Sequence, residues 1–209
     1  MTRYLLLISI GLLALACGKK HALPSGFVLQ KENATQGLVK FIQVEKDSLQ
    51  TYATSVAAYG KYFSGVTYFK NTQDTALRVL FTTHTGLKLL DLKLSQEGCS
   101  TVYAVEQLQN PVVLKLLCHD FGLISSIKNA VQASQVYTHP DGSAIVVQKG
   151  EKDLYYYTTP AHHMVKVIET VPGKRKIQTE AFREVTDSSL VVKHRNFNFK
   201  LTLKKQTLD

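Results

Sequence analysis

Several short patterns in this chain contain residue types that carry out catalysis or bind metals in other proteins. Asp120-Phe121-Gly122 spells a kinase metal-binding tripeptide, but no glycine-rich loop, strand lysine or catalytic-loop signature accompanies it. His162 and His163 are adjacent, and neighbouring residues of a strand point to opposite faces, so one strand cannot direct both imidazoles at one ion. His84 and His119 are isolated, which favours a surface position or a satisfied hydrogen bond. We therefore predict no metal site and no cofactor.

Patterns of nucleophilic and acid–base catalysis are also missing from the sequence. It contains no Gly-x-Ser-x-Gly, no recognisable Cys/His nucleophile arrangement and no spaced pair of carboxylates. We expect a protein that is not an enzyme and has no catalytic residues. An enzymatic alternative remains open only in so far as catalytic residues can be scattered along a chain.

The beginning of the chain carries the clearest chemistry. Arg3 precedes thirteen uncharged, mostly apolar residues at 4–16, and Cys17 follows them directly. A charged start, a short apolar stretch and small residues before a cleavage point are typical of a secretory signal. The stretch is shorter than the ~20 residues that cross a membrane. A cysteine at the cut resembles a bacterial lipobox, so we predict a signal peptide over 1–16 and lipid attachment at Cys17. An ordinary signal peptide with an incidental cysteine is the alternative.

The predicted lipid also determines the expected location. Two or more acyl chains hold a protein firmly at a membrane. By analogy with bacterial lipoproteins, Gly18 in place of the Asp that retains some of them at the inner membrane implies the outer membrane of a bacterial cell envelope. Residues 17–26 are polar and broken by Pro and Gly, which predicts a flexible lipidated tether. Removing sixteen of the 209 residues leaves 193, and we expect 27–209 to form a single domain.

Composition restricts the expected partners. Apolar residues make up 44% of the chain and charged residues 20%, which is typical of a folded domain, and the formal net charge is +9. A basic protein at a membrane favours anionic partners such as lipid phosphates or acidic glycans. The densest basic cluster, 174–176, is a three-residue turn, so nucleic acid is not an expected partner.

Two cysteines remain once Cys17 is lipidated. Cys99 lies at a turn or strand start and Cys118 in a predicted helix. An even pair in an oxidising compartment permits a disulfide, but a domain of this size does not require one. Two small buried thiols are the default expectation.

A hairpin over 76–94 has the most informative hydrophobic pattern. With Thr85-Gly86 as a two-residue loop, one side of the ribbon is entirely apolar, and a slip of one residue would mix the two sides. The same register places Arg78 diagonal to Asp91 and predicts a structural ion pair. The apolar side consists of Leu77, Val79, Phe81, Leu90, Leu92 and Leu94.

The rest of the chain has the same β character. Short segments rich in Val, Tyr, Thr and Phe predict about ten or eleven antiparallel strands, and further elements are predicted at 27–31 and 38–44. Asn110-Pro111 opens one helix, with Gly122 as its possible end. So many strands in one domain must curl into a barrel or half-barrel.

Three segments resemble a known family. Residues 59–70 (YGKYFSGVTYFK), 78–94 (RVLFTTHTGLKLLDLKL) and 112–124 (VVLKLLCHDFGLI) are similar to the outer-membrane lipoprotein receptor and carrier fold (LolA/LolB-like), particularly the Bacteroidetes-type lipoproteins near it. The resemblance implies an unclosed antiparallel β-barrel with covering helices and an apolar cavity for acyl chains. On it, the apolar side of the 77–94 ribbon would line the cavity or the core beneath it.

Two functions follow as expectations. The first is a lipid-anchored, non-catalytic envelope protein that binds an acyl-bearing ligand, a lipid or a lipoprotein, in its half-barrel. The second is a structural or assembly lipoprotein that binds a protein or glycan partner through its basic surface. An interior large enough for a hydrocarbon chain would favour the first.

Overall fold

A computed structural model describes residues 21–72, 76–125, 130–184 and 186–206. The predicted signal peptide and Cys17 lie outside these residues, so both stay predictions. Within the described part of the chain, no helix has the length and apolar character needed to cross a membrane.

The described residues form one antiparallel sheet, one α-helix and a short 3₁₀ helix at Glu106–Leu108. The helix, α1, spans Pro111–Ile124. The strands are β1 (Val28–Gly37), β2 (Leu49–Ala58), β3 (Lys61–Asn71), β4 (Leu77–Thr82), β5 (Lys88–Ser95), β6 (Gly98–Ala104), β7 (Ala130–Thr138), β8 (Ala144–Gln148), β9 (Asp153–Thr158), β10 (Met164–Thr170), β11 (Ile177–Arg183), β12 (Leu190–His194) and β13 (Phe199–Lys205).

The sheet is curled but not closed. Its strand order is β1-β7-β8-β9-β10-β11-β12-β13-β2-β3-β4-β5-β6, so β1 and β6 are its two edges. Two meanders, β2–β6 and β7–β13, join through the pairing of β13 with β2. This confirms a mainly β fold built on an unclosed antiparallel barrel with a covering helix. The described sheet has thirteen strands, more than the ten or eleven expected.

The predicted element at 38–44 is not a strand of the sheet. This segment makes single bridges from Val39 to His163 and from Ile42 to Ser125. Leu38, Phe41 and Ile42 are buried in the core. The apolar pattern was therefore a sign of burial, and the segment fills interior space instead of extending the sheet.

The β4–β5 hairpin confirms the predicted register over most of its length. Leu77, Val79 and Phe81 lie opposite Leu94, Leu92 and Leu90. The loop differs from the prediction, because Thr83 pairs with Leu87 and Gly86 donates its N–H to the Thr83 carbonyl. Gly86 has φ +86°, the left-handed conformation that ends a three-residue loop of this kind. A bulge at Leu89 then restores the register.

Helix α1 begins where the sequence indicates. The Asn110 side chain accepts a hydrogen bond from the Val112 N–H at 2.9 Å, and Pro111 occupies the first turn. Gly122 does not end the helix, which continues to Ile124. Phe121 packs edge-to-face on Phe69 with ring centroids 5.8 Å apart, so the helix is anchored in the barrel core.

Cys99 and Cys118 form a disulfide, so the default expectation of two buried thiols is wrong. Cys99 lies in β6 and Cys118 in α1, and their Cα atoms are 5.8 Å apart, a separation that suits a disulfide. The sequence could not show that the helix lies against this strand. The bond fastens α1 to a free edge of the sheet.

A second apolar cluster lies apart from the main core. It consists of Ile145, Val147, Tyr155, Ile168 and Ile177, with Leu23 and Phe27 packed against it. His21 is buried beside the Tyr155 ring at 4.5 Å, and burial lowers its pKa to about 4 with the help of Lys166 and Arg175. His21 and Leu23 of the predicted tether therefore pack against the sheet.

The disulfide should make a large contribution to stability. Its cysteines are 19 residues apart, and closing a loop of that length stabilises a fold by about 3 kcal/mol. We expect the double variant Cys99→Ser/Cys118→Ser to lose about this much free energy of unfolding in urea titrations. Reductant should destabilise the wild-type chain equally and leave the double variant unchanged. Equal stability of all forms would contradict this role.

Candidate functional site

The six residues predicted to line a cavity lie in the packed core. Leu77, Val79, Phe81, Leu90, Leu92 and Leu94 are 0–2% exposed. They belong to one cluster with Phe69 and Phe121, and with the segment that begins at Leu38. Leu94 also borders a pocket beside the helix. Helix α1 and the 38–44 segment therefore cover this apolar side.

Open space lies along the two flanks of α1. The lysine pocket, about 670 Å³, is bordered by Val112, Lys115, Leu116, Lys149, Lys152 and Phe197, among others. The disulfide pocket, about 430 Å³, is bordered by Lys40, Leu94, Cys99, Cys118, Gly122 and Tyr156, among others. His119 and Leu154 border both, so the two pockets adjoin, and together we call them the helix cleft.

Glu169 is the charged centre of the lysine pocket wall. The Lys152 ammonium lies 2.6 Å from its Oε1 atom, and Thr179 donates a hydrogen bond to the same oxygen at 3.3 Å. His119 Nε2 lies 2.7 Å from Oε2, in ion-pair contact although out of line for a hydrogen bond. Burial would raise the pKa of Glu169, but His119 and Lys152 lower it to about 2. The carboxylate is therefore ionised at neutral pH.

A second buried contact links the helix to strand β12. The Asp120 carboxylate lies 2.9 Å from His194 Nε2, and both side chains are almost fully buried. Burial raises the pKa of Asp120 although the bond to His194 opposes it. His194 Nδ1 is 3.3 Å from the Thr179 hydroxyl, which completes a polar chain from Asp120 to Glu169. This series of polar contacts joins α1 to β10, β11 and β12.

The order hydroxyl–imidazole–carboxylate in this chain is that of a nucleophilic triad. Thr179, however, is 1% exposed and its hydroxyl already donates to Glu169. No group of three or more His, Cys, Asp or Glu residues suited to a metal ion occurs among the described residues. The arrangement holds the helix in place and presents polar atoms to the cleft.

Lys40 and Gly122 meet at the end of the disulfide pocket. The Lys40 ammonium donates to the Gly122 carbonyl at 2.9 Å, and burial lowers the Lys40 pKa to about 8. A side chain at Gly122 would meet no atom within 4 Å of its Cβ, because this helix position faces open space.

Of the histidines and the ion pair singled out from the sequence, all but His119 lie outside the cleft. The predicted Arg78–Asp91 ion pair is present, and the Arg78 hydrogen bond is the main cause of a lowered Asp91 pKa. His84 is exposed in its turn, and His162 and His163 are exposed in the turn before β10, not on a strand. His119 is the exception, since it contacts Glu169.

Comparisons with known proteins add one distant likeness. No family model matches the chain, and no curated protein matches it. A DUF1329 family protein from Desulfovibrio piger, known from a crystal structure, is similar in structure with 10% sequence identity and a TM-score of 0.40. The match covers 76% of this chain and 83% of that chain. At this level the likeness carries no argument, so the site is interpreted from its own geometry.

The ionised state of Glu169 should stabilise the fold in a pH-dependent way. Its folded pKa is depressed from 4.5 to about 2, so the stabilisation is present above pH 4.5 and is lost as the pH falls through about 2. Glu169→Gln should therefore lower the free energy of unfolding by roughly 3 kcal/mol at neutral pH. The difference in free energy of unfolding between the wild type and Glu169→Gln should shrink by about 2 kcal/mol as the pH falls from about 6 to about 3.

Glu151→Gln is the matched control, because this glutamate borders the same pocket but is exposed. Asp120 is present in all three proteins, but burial and the charge of Glu169 both raise its pKa, so its titration cancels only between the wild type and Glu151→Gln. Urea titrations at each pH measure the effect. If the free energy of unfolding of Glu169→Gln differs from that of the wild type by the same amount at every pH, the Glu169 carboxylate is not held ionised by the fold.

Proposed function

We propose that this protein binds an acyl-bearing ligand, a lipid or a lipoprotein, without catalysis, and that the helix cleft takes its hydrocarbon chain. The observation that carries the proposal is the open space on both flanks of α1, next to a core that is otherwise filled. Pockets of about 300–1,000 Å³ are the size that holds small ligands. Both parts of the cleft fall in this range.

The walls of the cleft suit a hydrocarbon chain. Val112, Leu116 and Phe197 border the lysine pocket, and Leu154 borders both pockets. Val112 and Phe197 are exposed, so apolar surface reaches the cleft mouth. Each methylene removed from water contributes about 0.8 kcal/mol. The hydrocarbon chain of a ligand that lies along the helix would pass His119 and Leu154 and end near Gly122.

The resemblance of residues 59–124 to lipoprotein receptors and carriers supports the same proposal. It implies an unclosed barrel, a covering helix and an acyl cavity, and the first two are features of this fold. The proposed cavity differs in position from the expected one. The lysine pocket lies between α1 and the strands from β8 to β12, and the disulfide pocket lies between α1 and strands β5, β6 and β9. Of the six ribbon residues, Leu94 alone borders the cleft.

Gly122 offers a direct test of the cleft. Gly122→Leu should place a side chain in the disulfide pocket, because no atom outside the local helix backbone lies within 4 Å of the added Cβ. Replacing a helical glycine should also stabilise the fold by up to about 1 kcal/mol. We expect binding of a fluorescent C16 fatty acid to weaken by about tenfold or more. Gly122→Ala is the matched control and should retain binding because its methyl group fills little of the pocket.

Thermal unfolding of both variants separates loss of the cleft from loss of the fold. A folded Gly122→Leu protein that binds the fatty acid as tightly as Gly122→Ala would exclude the disulfide pocket as the chain site. Absence of binding by the wild-type chain would overturn the proposal itself.

Anchoring through Cys17 and an outer-membrane location belong to the same proposal, and the pattern of residues 1–20 supports them. Cys17→Ser should abolish labelling by radioactive palmitate and reduce the amount of protein in the membrane fraction, because a thiol is required for diacylation. Cys99→Ser/Cys118→Ser is the thiol control and should keep the label. Undiminished labelling of Cys17→Ser would contradict the anchor.

A further inference from the structure

We infer that the lysine pocket binds an anionic headgroup, a phosphate or carboxylate, and that this headgroup belongs to the acyl ligand. The inference rests on the proposed function and adds the ligand's polar chemistry and its direction in the cleft. The head would lie among the lysines, and the chain would run along α1 toward Gly122.

The cationic groups come from two separate elements. Lys115 lies on α1, whereas Lys149 and Lys152 lie in the turn between β8 and β9. Because the helix and this turn border the same pocket, an anion bound in it would have lysines on both sides. Arrangement around a pocket, and not merely a basic surface, distinguishes this site from the general +9 charge of the chain.

The nearby acidic groups are largely used by the lysines themselves. Lys149 lies 2.9 Å from Asp153, and Lys152 lies 2.6 Å from Glu169. Both carboxylates are buried, at 4% and 1% side-chain exposure, while the lysine side chains are 45% and 46% exposed. The two carboxylates are therefore shielded from solvent and the lysine side chains are about half exposed, although Glu169 also borders the pocket and opposes an anion there. An ammonium group has three N–H donors, so each lysine keeps donors for a ligand.

Lys115 contributes a cation without such a partner. Among the described residues, no carboxylate oxygen lies within 4 Å of its ammonium, and its side chain is exposed. His119 also faces the pocket, in contact with Glu169. Glu151 is the exposed acid of this wall and opposes an anion, so the expected preference is moderate.

Neutral donors and the apolar wall complete the arrangement. The amides of Gln148, Gln178 and Asn196 border the same pocket and can donate to phosphate or carboxylate oxygens. Val112 and Leu116 lie one turn of helix or less from Lys115, on its N-terminal and C-terminal sides. Charged donors and apolar contacts therefore alternate along one helix flank, which fits an amphiphile with an anionic head.

The test compares two photoreactive C16 probes that carry the same diazirine in the chain, one a fatty acid and one the matched alcohol. The full-length chain is labelled over a range of probe concentrations, and mass spectrometry counts label in the peptide that contains 111–124. We expect half-maximal labelling by the acid at about tenfold lower concentration than by the alcohol. In Lys115→Gln/Lys149→Gln the two probes should differ by less than about threefold.

Lys61→Gln is the matched control, since Lys61 is exposed at the β2–β3 turn and borders neither pocket of the cleft. It should keep the wild-type preference. Acid and alcohol labelling the helix equally would overturn the headgroup inference and leave acyl binding standing. Label from neither probe would overturn both.

Inorganic phosphate distinguishes a lipid headgroup from a free anion. Phosphate should compete with the acid probe more strongly than with the alcohol probe, since only the acid occupies the anion site. If neither probe labels the protein while phosphate still protects the lysines from acetylation, the pocket is a site for a free anion. That result would overturn the inference.

Discussion

The attachment of α1 to an unclosed sheet is the constraint on which this structure depends. A sheet with two free edges leaves its interior open to water unless another element covers it. Helix α1 does so through three kinds of contact: the disulfide to β6, the insertion of Phe121 against Phe69, and the polar contacts of His119 and Asp120 with β10 and β12. Because covalent, apolar and ionic contacts hold one short helix, its position can be maintained without packing on every side.

Because only a few contacts hold the helix, open space remains beside it. The apolar side of the β4–β5 ribbon packs with Phe121 and with the buried residues of the 38–44 segment. Apart from Leu94, its residues border neither pocket of the cleft. The open space lies instead on the flanks of the helix, where Gly122 contributes no side chain at all. Filled core and open cleft are thus two consequences of the same helix placement. The buried carboxylates of Asp120 and Glu169 lie close to basic side chains, which limits the cost of placing polar groups beside the cleft.

The features that could be predicted from the sequence are those that depend on residues close together in it. The register of the β4–β5 hairpin follows from alternation and the start of α1 from Asn110-Pro111, since both depend on residues close in sequence. The cleft depends on contacts such as His119 with Glu169 and Asp120 with His194, which are 50 and 74 residues apart and leave no spacing signal. The disulfide could not be decided from the sequence for the same reason. The six predicted lining residues were correctly identified as one apolar side, but alternation cannot show whether such a side faces a cavity or a packed helix.

The most direct measurement is a crystal structure of the chain with a C16 fatty acid that carries bromine at its terminal carbon. Anomalous scattering from the bromine locates the chain end independently of the rest of the density. We predict a single peak beside Gly122 and Leu154, with the carboxylate in the lysine pocket. Bromine found among the ribbon side chains of Val79, Phe81 and Leu92, which are packed in the core, or only on the outer face of the sheet, would contradict this account.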